Sequence, residues 1–272
     1  MNFLDQWPLG IIFAAGAIGQ VVFIEIGFRY GLSQQGKGRK AQLAQVRAIM
    51  GASLGLLAFM LAFSFSMAQQ HFEERTRAYM MEVSAIDSAY RGADMLQADA
   101  RSAAQDLLIR FAKLRLRTTE AARKSDIDGV IEMIRESERI HDLLWSVAES
   151  SMEGGGGEDT GIFAQSVLSM INAHDARLQS ALFNRVSPVI WITLAIMALL
   201  AMLVMGYQAG LTGTRSSLAT LTLAIAFSAV MMLITDLDRP NMTLFRMNQQ
   251  LMVELENRME QSVPDLPYES RR

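Results

Sequence analysis

Apolar and polar positions along this chain fall into long blocks rather than short alternations. Four blocks are predominantly apolar: about Pro8 to Phe28, which contains Gln20 and Glu25, Ile49 to Ala68, Val189 to Met205 and Leu218 to Ile234. The second holds 20 residues without a charge, enough to cross a bilayer core at about 1.5 Å rise per residue. Between the second and third lies a large polar segment, roughly His71 to Ser187, whose apolar residues recur at helical spacing. Leu107, Leu108, Phe111 and Leu114 form one stripe, Ile127, Val130, Ile131 and Ile134 a second, and Ile140, Leu143, Leu144 and Val147 a third. Such stripes predict half-buried helices of a bundle. Another helix is expected over about Ile162 to Val186, carrying Val167, Met170, Ile171, Leu178 and Leu182. In the tail, Leu244, Met247, Leu251, Leu255 and Met259 predict one more amphipathic helix after Pro240.

Punctuation agrees with that pattern. The prolines stand at Pro8, Pro188, Pro240, Pro264 and Pro267, where helices should begin or stop, and none falls between Ile11 and Ser187. An interior proline costs a helix about 3 kcal/mol. No period-2 strand pattern or hairpin turn competes. Ser125 or Asp126 is a helix N-cap candidate, and Ser150 to Gly161 reads as a flexible turn. The second apolar block continues without proline to about Leu96, which predicts one helix leaving the membrane for water. The expected fold is all-α: four transmembrane helices, with an extramembrane helical bundle inserted between the second and third. The boundaries are a first hairpin at 1–70, a bundle at 71–187, a second hairpin at 188–235 and a tail at 236–272, its end from Val263 disordered.

Composition sharpens this picture without changing it. A hydrophobic share of 51% with 19 Met, clustered in blocks, is the membrane signal. A formal net charge of −3 gives no reason to expect nucleic acid. The chain has no Cys, which removes disulfides and thiolate chemistry together. His71, His141 and His174 lie far apart and read as solvated helix histidines. The run Gly154 to Gly157 lacks a following GK[ST] and is a linker. No metal, cofactor or enzyme activity is expected.

Three features carry candidate function. Gly51 and Gly55 form a GxxxG stripe that lets helix backbones approach, within the chain or between copies. Leu56, Phe59, Phe63 and Ser66 form a second stripe on the same span: a hydrophobic constriction if it lines a pore, ordinary packing against a neighbour or lipid otherwise. Charged residues mark the membrane faces. Glu25 and Arg29 close the first span in the favourable i,i+4 order, and Asp236, Asp238 and Arg239 close the fourth. By parity that end lies level with Arg75 and Arg77, so Asp236 or Asp238 is expected to pair with one of them. Trp7 and Trp191 at the starts of spans one and three, with Tyr30 and Tyr207 at their ends, fit the interfacial preference of aromatic residues.

Four spans place both termini and the bundle on one side. The basic loop with Arg29, Lys37, Arg39, Lys40 and Arg47 puts that side outside the cytoplasm by the positive-inside rule. The expected location is the plasma membrane, a bacterial inner membrane.

Residues Gly51 to Leu96 resemble the second-helix motif of an uncharacterised bestrophin-like membrane family, through Arg75, Glu82, Ala85, Ile86, Tyr90 and Arg91. Glu25 to Gly31 resembles the end of that family's first helix, and Ile234 to Pro240 its marker after the fourth. Asn241-Met242-Thr243 departs from the glycine that usually follows. The resemblance implies four membrane helices and, by analogy with bestrophins, a homo-oligomeric and pentameric ion channel in the lipid bilayer. Bestrophins place the large domain and both termini in the cytoplasm, opposite to the loop charges. The rival reading is a membrane-anchored sensory or interaction module without ion conduction.

Overall fold

In the computed structural model, residues 7–34, 40–124, 126–153, 157–214, 217–239 and 249–262 are described, and their regular structure is helical throughout. The elements are α1 (Leu9–Ser33), α2 (Lys40–Ala93), α3 (Ala98–Arg123), α4 (Ile127–Glu153), α5 (Glu158–Phe183), α6 (Pro188–Thr212), α7 (Ser217–Asp238) and α8 (Gln250–Ser262). Four stretches are long and apolar enough to cross a membrane, in α1, α2, α6 and α7. The chain divides into two compact units: Met1–Glu73 with Asn184–Phe245, and Glu74–Phe183 with Arg246–Arg272.

In the membrane unit, α1 lies against α6 and α7. The α1–α6 crossing is a backbone-to-backbone contact. A Cβ at Gly27 would fall on the Leu203 carbonyl and the Tyr207 amide, and one at Gly31 on Tyr207 and Gly210. Conversely, a Cβ at Gly206 would strike Ile24, and one at Gly210 would strike Phe28 and Gly31. Contacts advance along both helices together, so α1 and α6 run parallel. Two GxxxG pairs thus interlock, the geometry that gains most from dispersion where lipid supplies no hydrophobic drive. Within the same crossing, the Tyr30 and Tyr207 rings lie 5.6 Å apart, as their shared interface level anticipates. Trp191 departs from expectation: it is buried, packed with Leu57, Leu61, Leu194, Ala198 and Ile234 instead of resting at a lipid interface.

Polar groups inside this unit close on one another. Gln20 Nε2 donates to Ser228 Oγ at 3.0 Å, both buried. The break between α5 and α6 leaves the Val186 amide buried, and Asp238 Oδ1 accepts from it at 2.7 Å. Arg239 Nη2 donates to the Trp7 carbonyl at 2.7 Å. Pro188 opens α6 at its first turn, where a missing N–H costs nothing. Gly213 ends it at φ 68°, a left-handed conformation that suits glycine.

The bundle unit packs α3 against α4 and α8, and α4 against α5. Its core joins Ile86, Leu108, Phe111, Ile140, Leu144, Phe163, Val167 and Met170 with Met252, Leu255 and Met259 from α8. Asp126 is the N-cap of α4, accepting from the Gly129 amide at 3.0 Å. Two expectations are corrected. The loop before the second span is shorter than supposed, since Lys40 to Arg47, built of good helix formers, is already the start of α2. The α8 stripe is Met252, Leu255 and Met259, while Leu251 is exposed; Leu244, Met247 and the tail from Val263 lie outside the described residues.

Gly206→Ala places a methyl on the Ile24 backbone, and overpacking of this kind costs about 1–3 kcal/mol. We expect a lower melting temperature for the purified protein, whereas Gly10→Ala, where a Cβ meets nothing within 4 Å, should lose nothing. Equal melting of the two variants would show that the crossing is not tight in solution.

Candidate functional site

Helix α2 presents two opposite faces in the membrane unit. Leu57, Leu61, Ser64 and Ala68 are buried, a stripe spaced by three and four residues. The other face carries Gly51, Gly55, Leu56, Ala58, Phe59, Ala62, Phe63 and Ser66, all exposed. Phe59 is 66% exposed and Phe63 52%. A Cβ at Gly51 or Gly55 would meet nothing within 4 Å, so these two glycines make no close helix contact among the described residues. That role belongs to Gly27, Gly31, Gly206 and Gly210. The whole candidate stripe therefore faces outward, available to lipid or to another copy.

The charged residues separate into distinct roles. Arg29 Nε and Glu25 Oε1 pair at 2.9 Å across one helical turn. Arg77 is exposed and Arg75 buried, both on α2. Asp236 is fully buried near the end of α7, while Asp238 and Arg239 take the Val186 and Trp7 backbone contacts described above. The motif residues Glu82, Ala85, Ile86 and Tyr90 are all buried, with Arg91 on the opposite side, exposed and paired to Asp87 at 3.0 Å.

At the centre of the bundle unit these buried motif residues lead to a cluster of charge. Glu82, fully buried on α2, is met by three cationic or potentially cationic groups. Arg115 Nε of α3 lies 2.9 Å from Oε1, His174 Nδ1 of α5 lies 2.9 Å from the same oxygen, and Arg177 of α5 pairs with Oε2. An ionised carboxylate only accepts, so His174 carries its proton on Nδ1. Arg177 also donates to Thr119 Oγ1 at 3.3 Å and sits 5.0 Å from the centre of the Tyr79 ring. Burial alone would raise the Glu82 pKa, but Arg115, Arg177 and His174 outweigh it and hold it at about 2. Burial lowers Arg115 to about 10, with Glu82 opposing, so it stays charged at neutral pH.

His141 of α4 completes the group. Its ring lies 5.0 Å from that of His174 in an edge-on arrangement, and Phe111 stands 5.0 and 5.5 Å from the two rings. Burial, then the neighbouring His174 and Arg115, lowers the His141 pKa to about 4. The reading of His141 and His174 as solvated is thus overturned: they are 7% and 1% exposed. A signal was present in the sequence, because Glu82, Arg115 and His141 each occupy a position that continues an apolar helical stripe. Among the described residues no group of His, Asp and Glu is arranged to hold a metal ion.

Comparison with known proteins places this architecture. The description "Bestrophin-like domain" matches residues 22–241. The chain belongs to the Bestrophin-like family. A crystal structure of a bacterial bestrophin homologue from Klebsiella pneumoniae, carrying a point mutation, is similar over 92% of this chain and 97% of its own, with a TM-score of 0.62 and 14% identity. At that identity the likeness is one of fold. A search of the curated proteins finds no match. In this Bestrophin-like protein the matched region takes in both the outward face of α2 and the buried Glu82 cluster.

Removing one partner of a buried ion cluster costs about 3–5 kcal/mol, because the others remain buried without compensation. Glu82→Gln should therefore melt far below the parent protein, while Asp87→Asn, at the exposed pair with Arg91, should change stability by less than about 1 kcal/mol. Similar small losses for both would show that the cluster is dispensable.

Proposed function

We propose that this membrane protein assembles into an oligomeric ion channel or pore whose pathway is lined by the outward face of α2. The observation that carries the reading is the stripe from Gly51 to Ser66: a continuous face on the family's motif helix, left uncovered by the other described residues. Phe59 and Phe63 would form a hydrophobic constriction that gates by excluding water. Ser66 would offer a hydroxyl beyond it. Gly51 and Gly55, where a Cβ would meet nothing within 4 Å among the described residues, would let neighbouring copies approach closely. Five copies follow by analogy with bestrophins. A sensory module without conduction is the second reading, favoured by the buried ionic cluster of the bundle.

The test is light scattering of the purified protein, followed by bilayer recording under varied ions and pH. We expect an oligomer that conducts, and Phe59→Ala or Phe63→Ala should raise the open fraction or unitary conductance severalfold. A strictly monomeric protein, or one silent under all conditions, would remove the channel reading.

For sidedness, the basic loop supports a bundle outside the cytoplasm. Ser102→Cys in this Cys-free chain should label with an impermeant thiol reagent in intact cells. Labelling only after lysis would reverse the orientation.

A further inference from the structure

The Glu82 cluster contains more positive than negative charge. Its two guanidiniums share one carboxylate, and the two imidazoles stand beside them. His141 Nε2, His174 Nε2 and Arg115 Nη1 are buried without a hydrogen-bond partner, and Arg115 Nε meets Glu82 as an ion pair only. A proton added to His141 would therefore enter a closed space whose carboxylate is already shared. Grouped by element, the charged and titratable groups here are Glu82 and Tyr79 from α2, Arg115 from α3, His141 from α4, and His174 and Arg177 from α5. From α8 comes a backbone amide, not a charge. Met252 N donates to Tyr79 Oη at 3.2 Å, at the start of α8. Tyr90 Oη donates to the Met259 carbonyl at 3.0 Å near its other end. The Tyr79 ring lies beneath Arg177, so a contiguous path runs from the imidazoles through Glu82 and Arg177 to the first turn of α8.

We propose that His141, set edge-on against His174 and framed by Glu82, Arg115 and Arg177, forms a proton-sensitive latch that holds the bundle closed at neutral pH and loosens it in acid, with Tyr79 carrying the change to α8. The latch does not depend on whether the protein conducts.

The sign follows from linkage. His141 is held at about 4 by burial first, then by His174 and Arg115, whereas an opened, solvated histidine titrates near 6.5. Between those values the opened state binds more protons, so closure is complete above about pH 6.5 and weakens as pH falls toward 4. Glu82, held at about 2, stays ionised across that window and adds no loss of its own. From pH 7.5 to pH 5 the opened population should rise roughly tenfold or more.

Hydrogen exchange on the full-length protein in lipid nanodiscs at pH 7.5 and 5.0, corrected for intrinsic exchange, reads this directly. We expect peptides of α4, α5 and α8 to lose at least about tenfold in protection at pH 5.0, with α1 and α6 unchanged. His141→Phe, which keeps a ring against Phe111 but cannot titrate, should hold the loss within about twofold. Tyr79→Phe should leave the response of α4 and α5 intact and abolish that of α8. Unchanged protection in the wild type overturns the latch, whether or not His141→Phe folds. So does an equal loss in α1 and α6, which would be general acid unfolding, or a His141→Phe variant that responds as strongly as the wild type. Loss in α4 and α5 with α8 unmoved overturns the link through Tyr79.

Discussion

Closeness of approach between backbones is the constraint on which the membrane unit depends. In hydrocarbon the backbone must satisfy its own hydrogen bonds, which makes the spans helical. Helices then gain little from burying apolar surface that lipid would cover equally well. What remains is contact at short range, and at the α1–α6 crossing glycines on both partners allow it. Around that seam the other features are polar fasteners: Gln20 with Ser228, Asp238 with the Val186 amide, Arg239 with the Trp7 carbonyl. The first two satisfy buried groups that would otherwise be costly to leave unpaired.

The bundle solves a different problem. Its apolar core supplies a solvent-driven force for closure, to which the ionic cluster at its centre adds the proton-sensitive hold proposed above. Buried ion pairs commonly contribute little net stability over an apolar replacement, because desolvation offsets attraction. Their geometry is nevertheless exacting. Glu82 can satisfy both guanidiniums and His174 only when α2, α3 and α5 meet in one register, and His141 extends that requirement to α4 through ring contact.

Much of this fold is legible in the sequence. The spans, the helices α3 to α5, the Asp126 cap and the Glu25–Arg29 pair all follow from periodicity, capping chemistry and i,i+4 spacing, because these are local. The interlocked glycines were legible as spacing but not as partners. Gly27 and Gly31, Gly206 and Gly210, and Gly51 and Gly55 are all four apart, and nothing local says which pairs find a backbone to meet. The histidines failed for the same reason. His141 and His174 come from different helices, and burial of each depends on the other, on Phe111 and on Glu82. In α8 the expected stripe held at Leu255 and Met259 and missed by one position at its start, where Met252 and not Leu251 is buried.

The glycine seam also imposes a waiting time. Gly27 and Gly206 are 179 residues apart (206 − 27), and chains grow at about 5–20 residues per second. The first helix is therefore made roughly 10–35 s before the surface it fits. During that interval its bare glycine groove lies open to lipid or to whatever small-residue helix is nearby, including the first helix of another nascent copy. Protein yield in a cell then depends on how reversible such early encounters are, a property set by the shallow groove itself: weak enough alone to let go, and secure only once α6 arrives with a matching one.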